Sequence, residues 1–302
     1  MLTRRIDAGR PVDINGTLAP VRRGAGDPAH SLLDGVLWRA CRTPDGPATL
    51  ALRLSALGVI EASAWGPGAD WVLEGLPGLL GLDDDWAGFD CSDHPLLNRA
   101  RRNYPGLRLP RTGLILDALV PAILEQRVTG GEAHRAWAGL LRWHGEPAPG
   151  PAPPGLRLLP DASGLLAVPS WDWHRLGVDL QRQRAIRAAA SVADRMEECV
   201  GLELPEAVAR LRLIPGVGVW TAAETAQRAL GHPDEVSVGD FHLHDRVVFA
   251  LTGQARGDDA RMLEVLAPWA GHRQRVVRLI EVSGVAKPKF GPRYAPQDLR
   301  AL

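Results

Sequence analysis

Two stretches carry residue types that could do chemistry. The first is Leu213-Ile214-Pro215-Gly216-Val217-Gly218-Val219-Trp220-Thr221. The second is Val236-Ser237-Val238-Gly239-Asp240-Phe241-His242-Leu243, which puts Asp240 22 residues after Gly218. Pro215 lacks an N–H and ends the helix before it. Gly216 and Gly218 allow positive φ and carry no Cβ. The expected product is a tight hairpin with backbone N–H groups facing outward at the start of a helix. Unpaired N–H groups and the helix dipole suit a phosphate. The same residues also read as a plain connection in an all-α domain. Asp240 falls just before a helix, where it would act as N-cap and accept backbone N–H bonds. The other reading is a carboxylate held over the hairpin. His242-x-His244 could begin a metal site, but such a pair diverges on a helix and zinc takes four ligands. Asp83-Asp84-Asp85 reads as a solvated loop or a metal site.

The elements that must position these residues follow from periodicity. Residues 206–213 read as a short helix, with Val208 and Leu211 spaced by three, and residues 219–230 as a second helix rich in Ala. Residues 1–100 read as mixed α and β. Strands are expected at 11–14, 36–40, 48–54 and 59–64, turns at 44–47 and 66–68, and a helix at 69–80. Trp38, Trp65 and Trp71 read as core. A helix over 95–103 carries Arg99, Arg101 and Arg102, as a phosphate-facing or a solvated surface. Beyond Tyr104 the pattern is helical. An extended linker over 104–110 leads to helices at 117–128 and 132–143. A Pro-rich loop over 145–160 is expected to be exposed and mobile. A long helix over 180–199 should put Arg182, Arg184 and Arg187 outside. Further helices fall at 241–251, 260–266 and 273–282. The division is a sheet domain over 1–103, a helical domain over 104–283 and a loose tail over 284–302.

Composition narrows the class. The 302 residues are 45% apolar, with no run near the roughly 20 residues of a membrane span. The N-terminus has no apolar stretch behind its arginines, unlike a secretory signal. Cys41, Cys91 and Cys199 form no Cys-x-x-Cys, which suits a reducing cytoplasm. Three cysteines cannot hold a four-cysteine iron–sulfur cluster. Net charge is zero, but residues 1–100 carry 9 Arg against 13 Asp and Glu, and the remainder carries 26 Lys and Arg against 22 Asp and Glu. The hairpin therefore lies in the more positive part.

The hairpin, the Trp-Thr-Ala that follows and an Asp some twenty residues on resemble the signature of the helix-hairpin-helix DNA glycosylase superfamily. Residues 104–110, the stretch Ala118 to Val128 and Pro268-Trp269 are similar to the 3-methyladenine DNA glycosylase II branch. The resemblance covers about residues 104–280. It is weaker over 1–100, where that branch has a TATA-binding-protein-like sheet. It implies an α+β fold: an N-terminal antiparallel sheet domain followed by an all-α helix-hairpin-helix glycosylase domain.

The resemblance also implies roles. Gly216, Val217, Gly218 and Thr221 would hold a DNA phosphate. Gln126 and Arg127 would stand in the turn that fills the gap left by an extruded base, with Arg127 as wedge. Asp240 would stabilise an oxocarbenium-like sugar and orient water. Trp220 would stack on an electron-poor alkylated base, with Phe241 beside it. Glu224 and Leu279 stand where pocket aromatics are expected. Trp220 also occupies the place where strand-nicking members carry a lysine nucleophile. The implied activity is hydrolysis of alkylated purines such as 3-methyladenine or 7-methylguanine, without lyase chemistry. The alternatives are a non-catalytic DNA-binding or damage-sensing protein and a glycosylase for another damaged base. No cofactor is required. The resemblance implies a monovalent cation, Na⁺ or K⁺, at the carbonyls of Leu213, Gly216 and Gly218. The expected partner is damaged double-stranded DNA, bound by a cytoplasmic monomer with no membrane contact.

Overall fold

The computed structural model describes residues 1–56 and 58–286. Five strands open the chain: β1 (Leu2–Asp7), β2 (His30–Leu33), β3 (Val36–Thr43), β4 (Gly46–Ala56) and β5 (Val59–Trp65), with α1 (Ile14–Leu18) after β1. They make one antiparallel sheet in the order β1-β5-β4-β3-β2. Ala48, Leu50 and Leu52 of β4 and Ile60, Ala62 and Ala64 of β5 are at most 2% exposed. Their period of two turns them to one face, which packs on α2 (Ala69–Glu74) and α3 (Leu76–Leu79).

The remainder is helical: α4 (Pro95–Asn103), α5 (Ile115–Leu124), α6 (Gly130–His144), α7 (Ala162–Ala167), α8 (Ser170–Arg175), α9 (Leu180–Ser191), α10 (Ala193–Glu197), α11 (Leu204–Leu211), α12 (Val219–Ala229), α13 (Leu243–Thr252), α14 (Asp259–Leu266) and α15 (Arg273–Val282). A short antiparallel pair, β6 (Glu146–Pro147) and β7 (Arg157–Leu158), interrupts them after α6. The fold class is the expected α+β.

The helices build two separate cores. One gathers α5, α6, α9, α11 and α12 around Leu119, Leu140, Trp173, Ile186 and Ala222. The other gathers α4 with α13, α14 and α15 around Leu97, Val247, Met262 and Val276.

Several expectations are corrected. Residues 11–14 are not a strand. Asp13 accepts the Gly16 N–H at 2.8 Å and starts α1 instead, so the cap overrides the β-propensity of Val12 and Ile14. β1 and β2 carry no alternating apolar pattern. They are edge strands whose place comes from backbone pairing with β5 and β3. The 180–199 helix breaks at Val192 (φ −125°, ψ 21°). The Pro-rich segment is not a free loop: Leu156 and Leu158 bury themselves against Ala40 of β3, and Pro149 accepts the Thr49 hydroxyl at 2.7 Å. That segment covers the second face of the sheet. Residues 89–100 pack with α13–α15, so the chain enters the helical part before residue 104. The tail beyond Ala286 lies outside the described residues.

The acidic run at 83–85 is solvated at Asp83 and Asp85, and among the described residues no group of three ligands could hold a metal there. Asp84 pairs with Arg275 and accepts the Trp86 indole N–H and the Leu109 N–H, while Asp83 pairs with Arg111 at 2.7 Å. Three guanidiniums, of Arg101, Arg108 and Arg275, lie within 5.8 Å of the Trp86 ring centre. Arg101 is thus a packing residue, while Arg99 and Arg102 stay exposed. A cavity of about 230 Å³ beside Asp83, Asp84, Arg111 and Arg275 belongs to this junction and not to the Asp240 region.

Asp27 ties the sheet side to α6. Its carboxylate is buried and accepts the N–H groups of Arg23 (2.8 Å) and Ala29 (2.9 Å) and the Trp137 indole N–H (2.7 Å). Burial works to raise its pKa. The His30 ring at 2.9 Å and these donors outweigh burial and hold the carboxyl far below its usual range. Asp27→Ala leaves three donors unpaired, and is expected to cost about 3 kcal/mol in urea denaturation at neutral pH. A carboxyl with a lowered folded pKa stabilises above its unfolded value and loses that contribution as pH falls. The gap between wild type and variant should therefore narrow in acid.

Candidate active site

The hairpin between α11 and α12 is rooted in the first helical core. Ile214 and Val217 are buried there, and the Val217 N–H donates to Ile214 at 3.0 Å to close the turn. Gly216 has φ +88°, and an added Cβ would stand 2.7 Å from the Ala185 Cβ of α9. It is glycine for conformation and for packing. Gly218 differs from expectation: its φ is −90°, and an added Cβ would meet nothing within 4 Å. Nothing inside the protein requires glycine at 218. Its bare backbone faces outward at the start of α12. Among the described residues, no acceptor reaches the N–H groups of Gly216 and Gly218. Both are exposed at the surface.

Val217 and Thr221 are not surface contacts. Both are buried, and the Thr221 hydroxyl accepts from Gln126 at 2.8 Å. The same Gln126 amide donates to the Gly216 carbonyl at 2.9 Å. The carbonyl of Gly218 accepts the Ala222 N–H. Two of the three oxygens named for a monovalent cation are thus already engaged by protein donors.

Gln126 and Arg127 stand in the turn after α5. This turn is built by side chains from elsewhere. Arg182, expected outside, is buried and donates to the carbonyls of Leu124 (2.9 Å) and Gly177 (2.8 Å), so it closes the C-terminus of α5. Glu197 accepts the Ile115 and Leu116 N–H groups, each at 2.8 Å, and closes the N-terminus. Arg23 pairs with Glu125 at 3.0 Å. Arg127 then takes φ +55°, a left-handed conformation costly for a side chain, and is exposed. The strain aims it outward next to the hairpin that Gln126 grips.

Asp240 stands at the seam between the two helical cores. Before it, Val236 is buried, and after it Leu243 is buried, both in the second core. Its Oδ1 accepts the His242 and Leu243 N–H groups, each at 2.8 Å, and so caps α13. Its Oδ2 accepts the Trp220 indole N–H at 3.2 Å. The cap reading and the carboxylate reading are both realised, one on each oxygen. The half-buried carboxylate thus bridges the first turns of α12 and α13.

The remaining pocket candidates separate. Phe241 is 83% exposed, beside His242. Glu224 is buried, paired with Arg228 at 2.8 Å and bonded to the Ser237 hydroxyl, so it does not line an open pocket. Leu279 is 0% exposed, in the second core. His242 and His244 do not build a metal site: among the described residues, no group of three His, Cys, Asp or Glu could hold one. Sequence reading missed Ser237 and Gln227. The available signal was the run of polar residues Thr221, Glu224, Thr225 and Gln227 on an otherwise Ala-rich helix.

This geometry, an antiparallel sheet followed by two helical cores with a glycine hairpin and an Asp at their seam, is the helix-hairpin-helix DNA glycosylase fold. In structure the chain is similar to the 3-methyladenine DNA glycosylase of Archaeoglobus fulgidus, with a TM-score of 0.75 and 17% identity over 93% of this chain and 98% of that one. It is also similar to the 8-oxoguanine glycosylase/lyase of Clostridium acetobutylicum, with a TM-score of 0.71 and 10% identity over 93% of this chain and 96% of that one. In sequence it is similar to a probable bifunctional transcriptional activator/DNA repair enzyme AlkA of Mycobacterium tuberculosis, 33% identical over 141 residues, 46% of this chain. The chain spans only 28% of that protein's length. No family model matches. Among the described residues, no helix is long and apolar enough to cross a membrane.

The two glycines make opposite stability predictions. Gly216→Ala should cost about 1–3 kcal/mol, for its φ and its contact with Ala185. Gly218→Ala should change stability by no more than about 0.5 kcal/mol. Urea denaturation of both variants checks this.

Proposed function

We propose that this chain is a monofunctional DNA glycosylase that hydrolyses the N-glycosidic bond of alkylated purines in duplex DNA. The observation that carries the reading is the Asp240 carboxylate. Its Oδ1 is fixed to the start of α13 and its Oδ2 is held by one indole N–H, beside the hairpin with its unpaired amides.

Hydrolysis proceeds in three physical steps. The target base leaves the stack at a cost of about a few kcal/mol. The Gly216 and Gly218 N–H groups grip a phosphate, and Arg127 fills the gap. The C1′–N bond then breaks with positive charge growing on the sugar. A preorganised carboxylate lowers that barrier without reorganising. Asp240 is held before substrate arrives, and Oδ2 keeps a lone pair for the sugar or for water. The Trp220 N–H bond lies in the ring plane and leaves the ring's π face for an electron-poor base. Position 220 carries no amine, and no lysine lies among residues 1–286, so no Schiff base forms there and an intact abasic site is the product.

Alkylated purines are favoured by Trp220 and by the name of the similar Archaeoglobus fulgidus enzyme. The similarity to an 8-oxoguanine glycosylase/lyase keeps an oxidised purine as the second reading, because both substrates occur on this fold.

Base release from methylated duplex DNA should occur with wild type and fall by about 10²–10³ in Asp240→Asn, with duplex binding retained. Release without strand cleavage is expected before alkali treatment. Binding without release from methylated or 8-oxoguanine duplex would point to a binding protein. Gly218→Ala should weaken duplex binding several-fold, since its methyl group stands where the phosphate approaches.

A further inference from the structure

Three side chains of α12 face the loop that carries Asp240. Trp220, Glu224 and Gln227 are spaced i, i+4 and i+7, one face of a helix. Trp220 holds the Asp240 carboxylate directly. Glu224 accepts the Ser237 hydroxyl proton. Gln227 donates to the Ser237 Oγ at 2.9 Å and to the Glu235 carbonyl at 3.1 Å. The Ser237 carbonyl in turn accepts the Asp240 N–H at 3.2 Å. Glu224, Gln227 and Ser237 are each at most 9% exposed.

We propose that Ser237, clamped by Glu224 and Gln227, is a positioning residue for Asp240, so that one helix face fixes the carboxylate at both ends of a four-residue loop. The proposal rests on Asp240 being the catalytic carboxylate. Two further contacts fit it. Gly239 takes φ +89°, which lets the loop turn sharply, and its N–H is held by Asp259 at 3.0 Å. Arg228 balances Glu224 and donates to the Pro20 carbonyl, so the clamp is anchored to the sheet side as well. Stability alone does not account for this group. A buried ion pair gains little over apolar residues of the same shape, whereas fully satisfied polar networks fix one geometry. The loop passes from the first core to the second, and the clamp is its buried side-chain tie back to α12 upstream of Asp240.

The test is Ser237→Ala with two readouts. The first is single-turnover base release, where the rate constant at saturating enzyme is expected to fall about tenfold with the half-saturating enzyme concentration unchanged, because misplacement weakens the transition state and not duplex binding. The second is the Trp220 indole N–H signal in ¹⁵N-tryptophan NMR, assigned by its loss in Trp220→Phe. It should move and exchange faster with water in Ser237→Ala. Ser237→Thr, which keeps the hydroxyl, should restore both, and Gln227→Met should reproduce the Ser237→Ala effect. An unmoved indole signal in Ser237→Ala overturns the proposal whatever the activity. If the wild type releases no base from any duplex, the glycosylase reading fails, and the indole signal still decides whether Ser237 holds Asp240.

Discussion

The bond from the Trp220 indole to the Asp240 carboxylate joins two cores that otherwise fold around different helices. One end belongs to the first turn of α12, whose hairpin is rooted by Ile214 and Val217. The other belongs to the start of α13, whose core is built with α4, α14 and α15. A single N–H···O bond contributes only about 1 kcal/mol net. Its importance is geometric: it sets where a negative charge stands relative to two unpaired glycine amides.

The turn after α5 obeys the same principle by other means. α5 is closed at both ends by side chains from the helices it packs on, Glu197 at its start and Arg182 at its end. The chain then leaves α5 along a path fixed by Arg23 on Glu125 and by Gln126 on Gly216. The left-handed Arg127 is affordable only because its neighbours on both sides are held. Hairpin and turn are therefore one unit, linked through the carboxamide of Gln126.

Buried arginines do much of the connecting in this chain. Arg39 meets Asp117, Arg228 donates to the Pro20 carbonyl, and Arg278 donates to the Gly16 carbonyl. Each links the sheet side to the helices or one helix to the next. A guanidinium has five donors in a fixed plane, so it can reach several acceptors on different elements with less loss of side-chain freedom than a lysine's three rotating donors. The abundance of Arg, which composition alone leaves unexplained, has this structural use. It also accounts for the failure of the exposed reading of Arg182.

What the sequence determined by itself was local. Period-two burial in β4 and β5, the helices at 95–103 and 273–282, the Pro-Gly-Val-Gly hairpin and Asp240 as a cap on α13 are all readable, because each depends on residues close in the chain. β1 and β2 were not readable, since edge strands are held by a partner and not by their own pattern. The Pro-rich segment was misread because its buried leucines are covered by the sheet. Only the tertiary structure decided that Glu224 faces Ser237, that Leu279 lies in a core, and that Gly218 is free of internal constraint while Gly216 is not. These facts concern contacts across tens of residues. A side chain's exposure and partner depend on what packs over it, and the chain's own periodicity does not carry that information.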